Sequence, residues 1–238
     1  GFGGVLHKAP YRNDAEDPGA LIDMARAVDA KLIYLANPDN PMGTWHRAGT
    51  IQAMIDAMPA GALLVLDEAY IDTAPADAIP PIDPNDTRVI RMRTFSKAYG
   101  LAGLRVGWAH VPAAILPGMY AARGMASVNA MAQAAATAVL QDMDVVNARV
   151  AEVVSERDRI AGVLTQRGMR VLPSATNFLM VSAGDAAVTE ALVLHLFNDA
   201  GLVVARTREA GLEAWMRFSI GTSAQNDLLL ESAGRFLE

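Results

Sequence analysis

A chain of 238 residues with 52% hydrophobic and 19% charged side chains is too apolar for disorder, and long enough for one large or two small cores. A net charge of −6 with no basic block argues against nucleic-acid binding, and the absence of cysteine from the sequence excludes disulfide scaffolds, cysteine-ligated zinc, iron–sulfur clusters and cysteine nucleophiles. No run reaches the roughly 18 apolar residues of a membrane helix, and the composition fits a cytoplasmic protein.

In chain order, Lys31–Ala36 is a short apolar run that ends at a turn rich in proline, asparagine and glycine. Arg47–Met58 carries a helical pattern closed by Pro59-Ala60-Gly61. Ala62–Leu66, Arg88–Met92 and Val106–Ala109 are further strand-like runs. Their continuous apolar character predicts a sheet buried on both faces, and the alternation with helix predicts an α/β unit with a mixed, mostly parallel sheet. Met119–Leu140 and Val145–Gln166 read as helices, the second stopped by Gly168. Strands are then expected at Arg170–Leu172, Asn177–Val181, Leu202–Ala205 and Met216–Ile220, with helices at Ala187–Ala200 and Ala224–Leu237. This divides the chain into a larger domain, 1–144, and a smaller α+β domain, 145–238.

Four stretches carry chemistry. In Thr94-Phe95-Ser96-Lys97, a lysine follows two hydroxyl residues just after a strand, and Arg105 comes eight residues later. A lysine can form a Schiff base with an aldehyde, and Thr94, Ser96 and the planar fork of Arg105 can bind a phosphate dianion. A lone Ser-Lys pair is more often a solvated turn. Asp67 ends a buried strand, where α/β folds place ligands, and Tyr70 follows three residues on; a turn-capping aspartate is the plainer reading. Asn37-Pro38-Asp39-Asn40-Pro41-Met42-Gly43 is a rigid turn from which Asn40 can donate to a ring oxygen, and it also suits a plain turn. Arg217 interrupts an apolar strand and needs an anionic partner, either a substrate or a structural carboxylate. His7, His46, His110 and His195 show no metal-ligand spacing, so no metal is expected; His195 reads as a half-buried helix residue.

Taken together and in this order, these motifs resemble the fold type I pyridoxal-phosphate aminotransferases of the aspartate aminotransferase superfamily, with most similarity to the histidinol-phosphate branch. The resemblance runs over nearly the whole chain. It implies a partial large domain plus a smaller C-terminal domain, pyridoxal 5′-phosphate as cofactor, and a homodimer with a role in histidine biosynthesis. It implies that Lys97 is the Schiff-base lysine, Asp67 the partner of the pyridine nitrogen, and Tyr70 and Asn40 the ligands of the ring oxygen. Thr94, Ser96 and Arg105 would bind phosphate, Arg217 the substrate anion, and Asn177 would lie near the substrate. Arg206 and Arg208 stand on the family's substrate side, although a solvated loop accounts for them more simply.

Met42 stands where the family usually has threonine, and Asp39 where asparagine is common. The stretch starting at Gly1 enters the family pattern partway through the large domain, so the phosphate-cradling glycine loop, the aromatic that stacks on the ring and a tyrosine reaching the other subunit are expected outside this sequence. The implied reaction moves an amino group between a donor, such as histidinol phosphate or an aromatic amino acid, and a 2-oxo acid. A decarboxylase of a phosphorylated amino acid would keep the same motifs. A truncated non-catalytic paralogue is the alternative outside the enzymes, opposed by the joint presence of Lys97, Asp67 and Arg105.

Overall fold

A computed structural model describes residues 3–81, 83, 85–124, 127–207 and 209–237. It falls into two compact units, one of residues 1–39 and 45–143, the other of residues 40–44 and 144–238.

The first unit opens with helix α1, Pro18–Ala27, which the sequence reading did not assign. Its start is written in Asp17-Pro18: the Asp17 carboxylate accepts the Gly19 and Ala20 amides at 3.0 and 3.2 Å, and proline suits the first helical turn. Strand β1, Leu32–Ala36, helix α2, Ala48–Asp56, strand β2, Leu63–Asp67, and strand β3, Val89–Thr94, follow. The three strands are parallel neighbours in the order β1-β2-β3, and β4, Gly107–His110, pairs antiparallel with β3. Ile33, Leu35, Leu64, Leu66 and Val89 pack one face of this sheet against Ile22 of α1 and Ile51, Met54 and Ile55 of α2.

The other face departs from the expectation of burial on both sides. Among the described residues, Leu32 and Tyr34 of β1 are 63% and 52% exposed. Strand alternation puts them opposite Ile33 and Leu35, on the face without α1 and α2. The predicted helix over Met119–Leu140 is instead two, α3, Leu116–Ala122, and α4, Ala130–Leu140. Arg123 turns to extended backbone beside Gly124, and the Asn129 side chain caps the new helix by accepting the Ala132 amide at 2.8 Å. A side chain that competes for backbone bonds starts a helix better than it sits inside one.

The second unit holds helix α5, Met143–Gln166 (from its second residue on), and a four-stranded antiparallel sheet. The sheet's strands are β5, Arg170–Val171, β6, Phe178–Ser182, β8, Met216–Ser219, and β7, Ala205–Arg206, in that spatial order. Helices α6, Ala186–Ala200, and α7, Ser223–Leu237, complete it. The strand expected at Leu202–Ala205 shrinks to Ala205–Arg206, and Val203 is 84% exposed: it lies on the chain entering a two-residue edge strand, where little packs. Ile160, Leu164, Leu179, Val181, Leu192, Leu196 and Met216 form the core. Residues 40–44 belong to this unit through Met42, which packs with Leu172, Met180 and Trp215, and through the Gly43 carbonyl, which accepts the Ala175 amide at 2.8 Å. Gly43 has φ +81 and its backbone lies so near Ser174 that a Cβ would meet Ser174 Oγ at 2.7 Å, so only glycine fits. Among the described residues, no helix is long and apolar enough to cross a membrane.

Candidate active site

In the first unit, the carboxyl ends of β1, β2 and β3 lie side by side, with Ala36 in register with Asp67 and Asp67 with Met92. The chain leaves β2 at Asp67 and β3 at Thr94, so their following turns open at one end of the sheet. Such ends are where open α/β sheets place ligands.

The Asp67 carboxylate is held by two donors. One oxygen accepts the Ala69 amide at 3.0 Å, and the other accepts the Tyr34 phenol at 2.8 Å. Tyr70 follows at the start of a short 3-10 turn, Ile71–Thr73, and the Thr73 hydroxyl donates to the Tyr70 carbonyl at 3.0 Å. Tyr70 is buried, and the Lys97 ammonium lies 4.8 Å from its ring centroid. The amine is thus held against the phenol ring that follows Asp67, a cation–π contact.

The turn that carries Lys97 is stapled by its own backbone. Phe95 donates to the Val106 carbonyl at 3.1 Å, Leu101 to the Phe95 carbonyl at 2.9 Å, and Gly100, at φ +71, to the Lys97 carbonyl at 3.0 Å. Buried Phe95 packs its ring 4.9 Å from that of Tyr99. The Thr94 hydroxyl donates to the Ser96 hydroxyl at 2.9 Å and accepts the Ser96 amide at 3.1 Å, so the two hydroxyls stand together. Arg105 takes a left-handed backbone, φ 56 and ψ 52, and its exposed guanidinium donates to the Ala102 carbonyl at 2.8 Å. Lys97 thus meets Tyr70 and Thr94 meets Ser96, while Arg105 bonds within its own turn.

Asn40, Asn177 and Arg217 all lie in the second unit. Arg217 Nη1 donates to the Asn40 side-chain oxygen, and the guanidinium lies 4.8 Å from the Phe178 ring centroid. The Asn177 carbonyl accepts the Ile220 amide at 2.9 Å, which leads β8 into its final turn. Arg206 pairs with Glu190, an exposed ion pair, and Arg208 lies outside the described residues. His195, half-buried on α6, is 3.0 Å from the Ser232 carbonyl.

Two clusters escaped the sequence reading. Around the end of β1, Glu16 accepts the Ala36 amide at 3.0 Å and the Tyr11 phenol donates to Asp39 at 3.0 Å. Burial, with the nearby charge of Asp39, raises the Glu16 carboxyl to about 8, and burial with the Asp67 hydrogen bond raises the Tyr34 phenol well above its usual value. No local motif marks Glu16, which is 51 residues from Asp67. Tyr34 did carry a signal, because strand alternation places it on the same face as the residues flanking it by two. Beneath the turn of β2, buried Glu68 pairs with Arg91 and Arg93, and Arg91 also donates to the Pro80 carbonyl at 2.9 Å. A buried carboxylate of this kind is affordable only when its oxygens are fully engaged. The single signal for it was two arginines at alternate positions of one strand.

The family model described as aminotransferase class I and II matches residues 3–232. The chain belongs to this family. Among curated proteins, the chain is 36% identical to the histidinol-phosphate aminotransferase of Granulibacter bethesdensis, over 99% of this chain and 64% of that protein. It is 32% identical to that of Geobacillus thermodenitrificans, over 90% of this chain and 59% of that protein. A crystal structure of the histidinol-phosphate aminotransferase from Sinorhizobium meliloti in complex with pyridoxal-5′-phosphate matches with a TM-score of 0.92 and 39% identity, covering 99% of this chain and 65% of that one. The chain therefore spans somewhat under two thirds of the length of these aminotransferases.

Proposed function

We propose that the protein is a pyridoxal-phosphate-dependent aminotransferase that takes an amino group from histidinol phosphate or a similar donor and passes it to a 2-oxo acid. The observation that carries this reading is the Lys97 amine held 4.8 Å from the Tyr70 ring, on the strand end next to the fixed carboxylate of Asp67. An amine, a carboxylate, a phenol and a pair of hydroxyls suit the aldehyde, ring nitrogen, ring oxygen and phosphate of that cofactor. Membership of the family and the names of the relatives support the same choice.

Bound there, the cofactor would supply an electron-accepting ring that makes the donor's α-hydrogen acidic. In this reading, Asp67 keeps the ring nitrogen protonated by offering it a carboxylate oxygen. Tyr70, with Asn40, donates to the ring oxygen. Thr94, Ser96 and Arg105 hold the phosphate. Lys97 Nζ would hold the cofactor through its aldehyde and, when free, would serve as the base and acid that carries the donor's α-proton. Arg217, with Asn177 nearby, receives the donor's anionic group, which would replace the Asn40 oxygen on the guanidinium. The protein would act as a cytoplasmic homodimer.

The test is the visible spectrum of the full-length protein with pyridoxal phosphate, before and after glutamate or histidinol phosphate. A band that forms and bleaches with a donor, and is lost in Lys97→Ala, is expected. Release of carbon dioxide instead of a keto product would overturn transamination, and a band that persists in Lys97→Ala would overturn the assignment of the lysine.

A further inference from the structure

We propose that Tyr34 is a positioning residue that fixes the rotation of the Asp67 carboxylate, and so decides which oxygen faces the cofactor's ring nitrogen. The inference rests on the reading that Asp67 meets that nitrogen, and it adds a residue that none of the motifs contains.

The argument begins with register. Tyr34 lies opposite Val65, and Ala36 opposite Asp67, so Tyr34 and Asp67 share a face of the sheet one diagonal step apart. A diagonal neighbour on adjacent strands lies beyond the reach of a short side chain but within that of an aromatic one. The phenol closes this gap and donates to one Asp67 oxygen at 2.8 Å. The other oxygen is taken by the Ala69 amide at 3.0 Å. A carboxylate turns freely about its last bond unless both oxygens are held by donors in different directions, and the amide alone leaves that rotation open. Each oxygen keeps a second lone pair, so the clamp leaves the carboxylate able to accept a ring N–H.

The Tyr34 hydroxyl is directed at the Asp67 carboxylate. Burial first, and then Asp67, Glu16 and Asp39, raise the phenol, and the Tyr11 phenol also lies within electrostatic reach, so at neutral pH Tyr34 is a donor and not a competing anion.

The experiment uses full-length protein and Tyr34→Phe, which keeps the ring and removes the O–H, with Tyr120→Phe as a control on a distant exposed tyrosine. In the cofactor-free protein, carbon-13 NMR of labelled aspartate, assigned with Asp67→Asn, reads the Asp67 carboxyl directly. Loss of the phenol donor changes the surroundings of one Asp67 oxygen, so the Asp67 carboxyl resonance should move in Tyr34→Phe and stay in place in Tyr120→Phe. In the protein loaded with pyridoxal phosphate, kcat should fall about tenfold while the donor's KM stays within about twofold, and the pH at which the visible band changes should shift. An Asp67 carboxyl resonance unmoved in Tyr34→Phe would overturn the proposal, as would a loaded Tyr34→Phe protein with the parent's kcat and spectral pH profile. Failure of the parent to take up pyridoxal phosphate would be a different result: it would overturn the reading of the site, and this inference with it.

Discussion

Glu16 is an acid whose neutral form is favoured by folding. Its carboxyl titrates near 8 in the folded chain against 4.5 in its ordinary setting, because burial and then the charge of Asp39 oppose ionisation. Between those two values the unfolded chain has released a proton that the folded chain still binds, so stability falls as pH rises through this window. Glu16→Gln keeps an oxygen for the Ala36 amide and removes the titration. The variant should match the parent in Tm near pH 4 and exceed it increasingly up to pH 8, as a series of thermal melts would show. Gly107 is a second sensitive position. A Cβ there would meet the Arg93 carbonyl at 2.7 Å, and that carbonyl belongs to the strand that leads into Thr94. Gly107→Ala must push β4 from β3, which should lower Tm and weaken retention of pyridoxal phosphate together, measured by melting and by equilibrium dialysis.

At the scale of elements, the helices and strands are held by local devices of known size. Asn129→Ala removes the cap of α4 and should cost about 1 kcal/mol in a denaturant titration. On α5, Glu156 is held low, at about 2, by Arg159 and then by the Asn226 amide of α7. Its contribution is present above the ordinary value of 4.5 and is lost as pH falls toward 2, so Glu156→Gln should lower Tm at pH 7 and lose that effect in acid. Most elements were legible because their signals are short-range. The apolar runs of β1, β2 and β3, Gly168 after α5 and the motif turns at Asp67 and Lys97 all announce themselves within a few residues. What was not legible depends on distance in the chain. Glu16 meets Ala36 across the whole of α1 and β1, Glu68 meets arginines 23 and 25 residues away, and Tyr34 meets Asp67 across a strand pair. The break between α3 and α4 is hidden for a different reason: alanine-rich sequence reads as helix on both sides of the gap, and a single Asn129 is a weak local signal for a cap.

For the molecule as a whole, each unit carries its own core. Leu196, fully buried in the second unit, should cost about 2–5 kcal/mol when cut to alanine, as read by chemical denaturation. The second unit is also not a contiguous piece of the polypeptide. Residues 40–44 are synthesised before the 99 residues of 45–143, yet they find their packing partners only at Leu172, Met180 and Trp215. On the ribosome this loop must therefore wait, its methionine uncovered, until nearly the whole chain has emerged. A gene fragment starting at Asp144 would carry every strand of the smaller sheet and still lack the plug that fills it.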